Sequence, residues 1–317
     1  MPVKLVYPIF TNLTKGNVLM KTHTKSKPDF YQQITNQIIE ALESGVKPWV
    51  CPWNKTEQSG IPSNASTSAS YNGMNIMLLW MSATMQGFSS SSWMTFKQAK
   101  EKGGQVRKGE KGTHIFFYSM IEKKEKTSEK VEHYAMLKTY SVFNLDQIDG
   151  LPESMSSHVV TASEPSTICS LEHVDHFLNA TGASIVYNGQ RAFYRPSTDE
   201  IVIPDMNRFS STKDLYATTL HELTHWTGHK TRLERKNNNV FGSKDYAFEE
   251  LIAELGSVFL MADLGIVGEV QHESYIANWL TALKDDKRYI FKAASQASKA
   301  HQFLRNLVEH HCADKAA

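Results

Sequence analysis

Residues 221–229 read HELTHWTGH, three histidines and a glutamate in nine positions. His221 and His225 are four apart. On a helix both imidazoles leave one face and can hold a single ion. Glu222 leaves the adjacent side, where a carboxylate can take a proton from water. A zinc ion held there lowers the pKa of a water it carries to about 7 and polarises a carbonyl, so the pattern points to metal-assisted hydrolysis. The competing reading is a helix whose histidines are buried and satisfied. A third ligand decides between them.

The nearest further histidine, His229, stands just past Gly228, where the helix is expected to end, and a histidine at a helix C-terminus needs no metal to explain it. Position 231, six past the second histidine, is Thr231, a weak zinc ligand. The better source is the segment SKDYAFEELIAELGSVFLMADLGI, a second helical pattern beginning about 18 residues later. Glu250 and Glu254 share one face of it, beside the apolar face of Phe248, Leu251, Leu255, Val258 and Phe259. One of them can bind the ion while another accepts a hydrogen bond from the far nitrogen of a ligand histidine. Glu249 competes with Glu250 for the ligand position.

HExxH followed by ExxxE resembles the glutamate-zincin superfamily, which includes the thermolysin-like peptidases. The resemblance implies Glu250 as the third ligand, Glu222 as general base and Glu254 as the residue that orients a ligand histidine. It also implies a sheet edge beside the site, for which FYRPSTDEIVIP is the candidate, and an oxyanion-stabilising group, for which Tyr246, His272, Tyr275 and His301 are the candidates. Zinc is the expected ion; imidazole and carboxylate also accept manganese, cobalt or nickel.

Elements must position these groups. Ser211-Thr212-Lys213-Asp214 opens the HELTHWTGH helix as a variant capping box, predicting a helix over 211–228. Periodicity predicts further helices at 30–44, after Asn72-Gly73, at 171–181, 243–263, 272–284 and 286–311. SSWMTFKQAKEKGG reads as one short helix with Thr95 as a possible cap, and strands are expected in 105–120, 133–145, 183–188 and 191–204. Residues 151–170, rich in Ser and Pro, read as a linker and residues 1–24 as a mobile arm. The expected fold is α+β in two domains: a mixed α/β domain over 25–150 and a mostly helical domain with a small sheet over 171–317.

Composition is that of an ordinary globular chain: 317 residues, 41% hydrophobic and 21% charged. No apolar run approaches the roughly 18 residues of a membrane span. Three scattered cysteines, Cys51, Cys169 and Cys312, offer neither a disulfide framework nor a CxxC pair, and a reducing cytoplasm is expected. The net charge of +1 hides an asymmetry. Residues 1–150 carry 18 basic against 12 acidic side chains, and the remainder 16 against 21.

The basic half also holds four of the six tryptophans. Trp80 and Trp93 read as core. Trp49 and Trp53, in PWVCPWNK, either pack under the preceding helix or stack on bases. Lys97, Lys100, Lys102, Arg107, Lys108 and Lys111 cluster around Phe96 and FFY. Such a stretch can follow a phosphate backbone while aromatics stack on unpaired bases; a solvated helix and hairpin is the simpler reading.

YQQITNQIIEALESGVKPW, YNGMNIMLLW, WMTFKQAKEKGGQVRKGEKGTHIFFY and VFNLDQIDGLP resemble the N-terminal domain of ArdC-type antirestriction proteins of conjugative plasmids, which also fronts some plasmid primases. HELTHWTGHKTRL, FGSKDYAFEELIAELG and YIANWLTALKDDKRYIFKAASQASKA resemble their metallopeptidase domain. Together the matches cover about 25–310. The resemblance implies a single-stranded-DNA-binding domain, for which Trp49, Trp53, Lys97, Lys100, Arg107, Lys108 and Lys111 are the candidate contacts. It further implies a zincin-like domain, a role shielding incoming DNA, and a host restriction enzyme as a possible partner. A DNA-binding decoy with a vestigial metal site and a peptidase without a DNA role are the alternatives.

Overall fold

The computed structural model describes residues 29–50, 60–124, 131–152, 155, 171–235, 243–266 and 275–316. The arm expected at 1–24, nearly all of the expected linker, Trp53 and His272 lie outside the described residues.

Helix α1 (Phe30–Glu43) is started by Asp29, whose side chain accepts from Gln32 N, and buries Ile34, Ile38 and Leu42 at helical spacing. Gly45, in the left-handed region at φ +80°, ends it as expected. Strand β1 (Ser63–Asn64) and helix α2 (Met74–Gln86) follow. Ser92–Thr95, in the stretch read as a short helix with Thr95 as its possible cap, is strand β2. Its Trp93 and Met94 are buried, and the ladder to a later strand outweighs local helix propensity. Thr95 does cap helix α3 (Phe96–Glu101), in a capping box with Gln98.

Strands β3 (Gln105–Val106), β4 (Thr113–Lys124), β5 (Val131–Asn144) and β6 (Ile148–Asp149) complete this half. One sheet runs β1-β2-β5-β4, and β3 pairs with β6. The long β4–β5 ladder is antiparallel, with Ile115 opposite Tyr140 and Phe117 opposite Lys138.

In the second half, helix α4 (Glu172–Ala180) precedes strands β7 (Ser184–Tyr187), β8 (Phe193–Arg195) and β9 (Glu200–Ile203). They form a sheet in the order β7-β9-β8, so β8 is an edge. Helices α5 (Thr212–Trp226), α6 (Lys244–Asp263), α7 (Ile276–Asp285) and α8 (Tyr289–Ala316) follow. Ser211 caps α5 and Ser243 caps α6 through their side chains. Among the described residues no helix is long and apolar enough to cross a membrane.

One core joins the halves. Ile38, Leu42, Trp49, Met77 and Trp80 pack with Leu251, Leu255, Phe259, Trp279 and Ile290. A second core lies between α4, β9, α5 and the ends of α6 and α8. Helix α1 therefore buries its apolar face against α6–α8. Thr35 Oγ1 donates to Lys287 O at 2.8 Å across the same junction.

Candidate metal centre

Helices α5 and α6 pack side by side because Gly256 has no side chain. A methyl there would come within 2.5 Å of Thr224 Cγ2 and 2.9 Å of its Oγ1. Thr224 is itself held by a 2.9 Å bond from Oγ1 to Leu220 O. This close contact sets the separation of the two helices just below the histidines.

His221, His225 and Glu250 converge, their candidate ligand atoms all within 4.8 Å of one another. The two Nε2 atoms are 3.2 Å apart. His221 Nε2 lies 3.5 Å from Glu250 Oε2, and His225 Nε2 lies 3.5 Å from Glu250 Oε1. Two donors bound to one ion at zinc distances with a tetrahedral angle would stand about 3.3 Å apart. The donor set therefore fits a divalent ion in both chemistry and spacing. Among the described residues no other group of histidine, cysteine and acidic side chains meets this geometry.

Glu249, weighed as a rival ligand, has a different place. Its Oε1 is 3.2 Å from His225 Nδ1, the nitrogen facing away from the cluster. It also accepts from Arg235 Nη2 at 2.7 Å, and its Oε2 accepts from Arg235 Nε at 3.0 Å. Arg235 donates onward to Thr227 Oγ1 and Thr224 O, both at 2.7 Å. A methyl on Gly228 would come 2.9 Å from Arg235 Nη2, so this glycine admits the guanidinium under the end of α5. Arg235 escaped the sequence reading because no spacing links a residue in a connecting segment to a helix it returns to.

Electrostatics follow from this arrangement. Burial by itself would lower the His225 pKa, but the bond to Glu249 and the charges of Glu250 and Glu222 outweigh it and push it up to about 9. Burial would raise Glu250, yet its bond to His221 and the neighbouring imidazoles bring it down to about 2. Glu249 is also held below the ordinary carboxylate range; burial opposes this, and His225 and Arg235 overcome it.

Glu222 is buried at the edge of the cluster, and its Oε2 accepts from the backbone N–H of Tyr194 on edge strand β8 at 2.9 Å. The strand expected beside the site is therefore there. Its hairpin is tied down by Asp199, which accepts from Tyr194 Oη at 2.8 Å and from both terminal nitrogens of Arg232. The Arg232 guanidinium covers the ring of Trp226 at 3.7 Å.

Of the oxyanion candidates, Tyr246 and Tyr275 reach the site. Their hydroxyls are 3.2 Å apart. Burial raises both phenols, and the negative charge of Glu250 adds to it. His301 does not reach it. It bonds to Asp263 at 2.9 Å, thirteen residues or about 20 Å along α6 from Glu250. Nor is His229 a ligand; its Nδ1 pairs with Thr231 Oγ1 at 2.8 Å. Glu254, expected behind a histidine, uses its Oε1 to accept from Lys47 Nζ and Trp49 Nε1, both at 3.3 Å.

Residues 28–143 match the N-terminal domain of the anti-restriction factor ArdC, and residues 172–296 match a zincin-like metallopeptidase domain. Across 89% of this chain and 98% of the other, the structure resembles the metal-free crystal structure of antirestriction ArdC protein from plasmid R388, with 42% identity and a TM-score of 0.76. The Mn(II)-bound structure of that protein matches with 43% identity over 88% of this chain and 98% of the other, at a TM-score of 0.73.

The chain belongs to the ArdC antirestriction family.

An uncharacterized protein, y4eC of Sinorhizobium fredii (strain NBRC 101917 / NGR234), is 36% identical over 87% of this chain and 91% of its own length. Two Escherichia coli proteins named DNA primase TraC are 38% and 40% identical over 94% and 88% of this chain. The chain spans only 21% and 27% of those primases.

The nucleic-acid contacts expected from the basic and aromatic pattern are only partly available. Trp49 is fully buried, its ring edge-on to Trp279 at 5.8 Å, so it cannot stack on a base. Arg107 is held by Glu110 at 3.0 Å, Asp149 at 3.2 Å and the Asp146 carbonyl, and serves to fasten the turn after β3 to β6. Lys97, Lys100, Lys108 and Lys111 are exposed. Among the described residues the exposed aromatics of this half are Phe96, Phe117 and Tyr140, the last two edge to face at 6.5 Å beside exposed Lys138. Alternation along FFY marks one of its two phenylalanines as outward-facing, a signal the tryptophan count obscured.

Proposed function

We propose that this ArdC-family protein protects incoming DNA in the cytoplasm by two linked means: binding single strands, and hydrolysing a peptide bond at a divalent-metal site. The observation that carries the hydrolytic reading is the 3.2–3.5 Å triangle of His221, His225 and Glu250 with Glu222 alongside. Those three residues would hold zinc, or manganese, cobalt or nickel, and leave a coordination position open. A bound ion would supply Lewis acidity toward a carbonyl and a water. Glu222 takes the proton from the attacking water and passes it to the departing amine, its carboxylate aimed by the Tyr194 N–H. Edge strand β8 lies beside Glu222, where an extended substrate chain would run along the sheet. Tyr246 and Tyr275 stand beside Glu250, where a phenol can donate to a developing oxyanion.

Single-strand binding is supported by the family and by the exposed lysines and aromatics of the first half. Phe117 and Tyr140, not Trp49, are the stacking side chains, and Lys97, Lys100, Lys108, Lys111 and Lys138 meet phosphates. A host restriction enzyme engaged on the same DNA is the substrate class.

Glu222→Gln tests the hydrolytic reading. The variant should keep its metal and its DNA affinity, yet lose protection of transferred DNA and cleavage of the restriction complex. Full protection by a metal-loaded Glu222→Gln protein would leave DNA shielding alone as the function. Replacing Phe117 and Tyr140 by Ala should weaken oligonucleotide binding by about 1–3 kcal/mol per stacked base. Unchanged binding would move the DNA site elsewhere.

A further inference from the structure

Tyr194 is gripped at both ends. Its backbone N–H donates to Glu222 Oε2 at 2.9 Å, and its hydroxyl donates to Asp199 Oδ1 at 2.8 Å. Arg232, on the segment after α5, joins the hydroxyl end to the helix that carries Glu222. Its Nη1 donates to Asp199 Oδ2 at 2.9 Å, its Nη2 to Asp199 Oδ1 and, at 3.2 Å, to Tyr194 Oη, and its Nε to Trp226 O at 2.7 Å. The guanidinium also lies 3.7 Å from the centre of the Trp226 ring. Glu222 and Trp226 are four apart and share one side of α5. The contacts close a loop. It runs from Glu222 to the backbone of Tyr194, along that side chain to Asp199 and Arg232, and back to α5 at Trp226.

A single contact would let β8 pivot or slide against α5. Two contacts, one turn apart on the helix, stop both motions. Each part suits that task. Arg232 presents a planar fork, and a fork on both oxygens of a carboxylate sets direction as well as distance. Its side chain is only 9% exposed, so solvent screens the pair little. Asp199 stands in the turn between β8 and β9 at φ +55°, a region where glycine is the ordinary choice. A glycine there would lack the carboxylate that takes the fork.

We infer that Arg232 and Asp199 are positioning residues of the candidate active site. Through Tyr194 they hold strand β8 in fixed register with α5, so that an extended polypeptide paired along β8 is delivered to Glu222 and the ligand triangle. The clamp so read depends on the metal-centre reading above. The substrate class is a segment of unfolded chain, bound by its main chain along the strand. A displacement of about 1 Å between strand and reacting groups is enough to spoil delivery. The clamp acts on the polypeptide and not on the ion, which would sit between α5 and α6.

Binding measurements separate those two effects. The zinc-loaded full chain is titrated with acetohydroxamic acid, which engages the ion alone, and with prolyl-leucyl-glycine hydroxamate, which adds a main chain to lie along β8. Zinc affinity is read with a chelating dye. In the wild type two main-chain hydrogen bonds should make the tripeptide bind about 10-fold tighter than acetohydroxamate. Arg232→Met and Asp199→Asn should each bring that ratio down to about 1- to 3-fold, with zinc affinity unchanged. Asparagine also adopts the left-handed turn, so Asp199→Asn is the milder change and carries the test if Arg232→Met does not fold. Asp263→Asn breaks the bond to His301 further along α6. It should lower the unfolding temperature and leave the ratio at its wild-type value.

An unchanged ratio in Arg232→Met and Asp199→Asn, with lowered unfolding temperatures, would overturn the inference and leave the clamp purely structural. So would an equal loss for zinc and for the tripeptide, which would make the clamp a support of the ion. A lowered ratio in Asp263→Asn, or a wild type that binds the tripeptide no tighter than acetohydroxamate, would overturn it too. A wild type that takes up no zinc is a different failure: the metal centre itself is then wrong, and the role of the clamp falls with it.

Discussion

Removing Glu249 should damage the protein in two separable ways. Glu249 is buried and accepts two bonds from Arg235 and one from His225. Glu249→Ala strands the Arg235 guanidinium, whose side chain is 5% exposed. Breaking a buried pair from one side costs about 3–5 kcal/mol. The variant also removes the acceptor that fixes the His225 ring, which should weaken metal binding about 10- to 100-fold, or roughly 1.4–2.8 kcal/mol.

The double variant Glu249→Gln, Arg235→Met removes both charges together. It should regain most of the stability, because no uncompensated charge is left, yet still bind metal weakly, because Gln is a poorer acceptor for the imidazole. Urea unfolding in chelator reads the first quantity and dye competition the second. The reasoning fails if the double variant binds metal like the wild type. It fails equally if Glu249→Ala abolishes binding while Glu250→Ala leaves it intact, which would make Glu249 the ligand.

Other expectations follow from the same geometry. Gly256→Ala gains helix propensity worth about 1 kcal/mol but forces α5 from α6 at Thr224; the net should be a loss of about 1–3 kcal/mol in unfolding free energy, with weaker metal binding. Asp263 is held below its ordinary pKa; burial opposes this, and the His301 bond and the charges of His301 and Arg305 prevail. A depressed carboxylate stabilises the fold above its unfolded pKa and ceases to as pH falls through the folded one. Asp263→Asn should therefore cost about 1.5–3 kcal/mol at pH 7, and the gap to wild type should close below pH 4. An unfolding comparison at pH 7 and pH 3 that shows a constant gap would refute the assignment.

The residues of the candidate metal centre were legible because their spacing is local. HELTH places His221 and His225 on one helix face whatever surrounds it, and EELIAE places Glu250 on the face of a second helix. Caps at Ser211, Ser243 and Thr95 and the stop at Gly45 are likewise decided within four residues of chain. The strand at Ser92–Thr95, ahead of the helix that Thr95 caps, was not legible because its strand character comes from pairing with β5, some fifty residues later.

Partnerships across long separations belong to the tertiary structure alone. Sequence could not say which of Glu249 and Glu250 faces the imidazoles, since adjacent helix positions differ by a rotation of about 100° and only the packing of α5 on α6, set at Gly256, fixes that rotation. It could not reveal Arg235 beneath His225, nor turn Trp49 from a base-stacking surface residue into a buried donor to Glu254. Local spacing determines which side chains a helix presents together; what each of them meets depends on contacts closed by the whole chain.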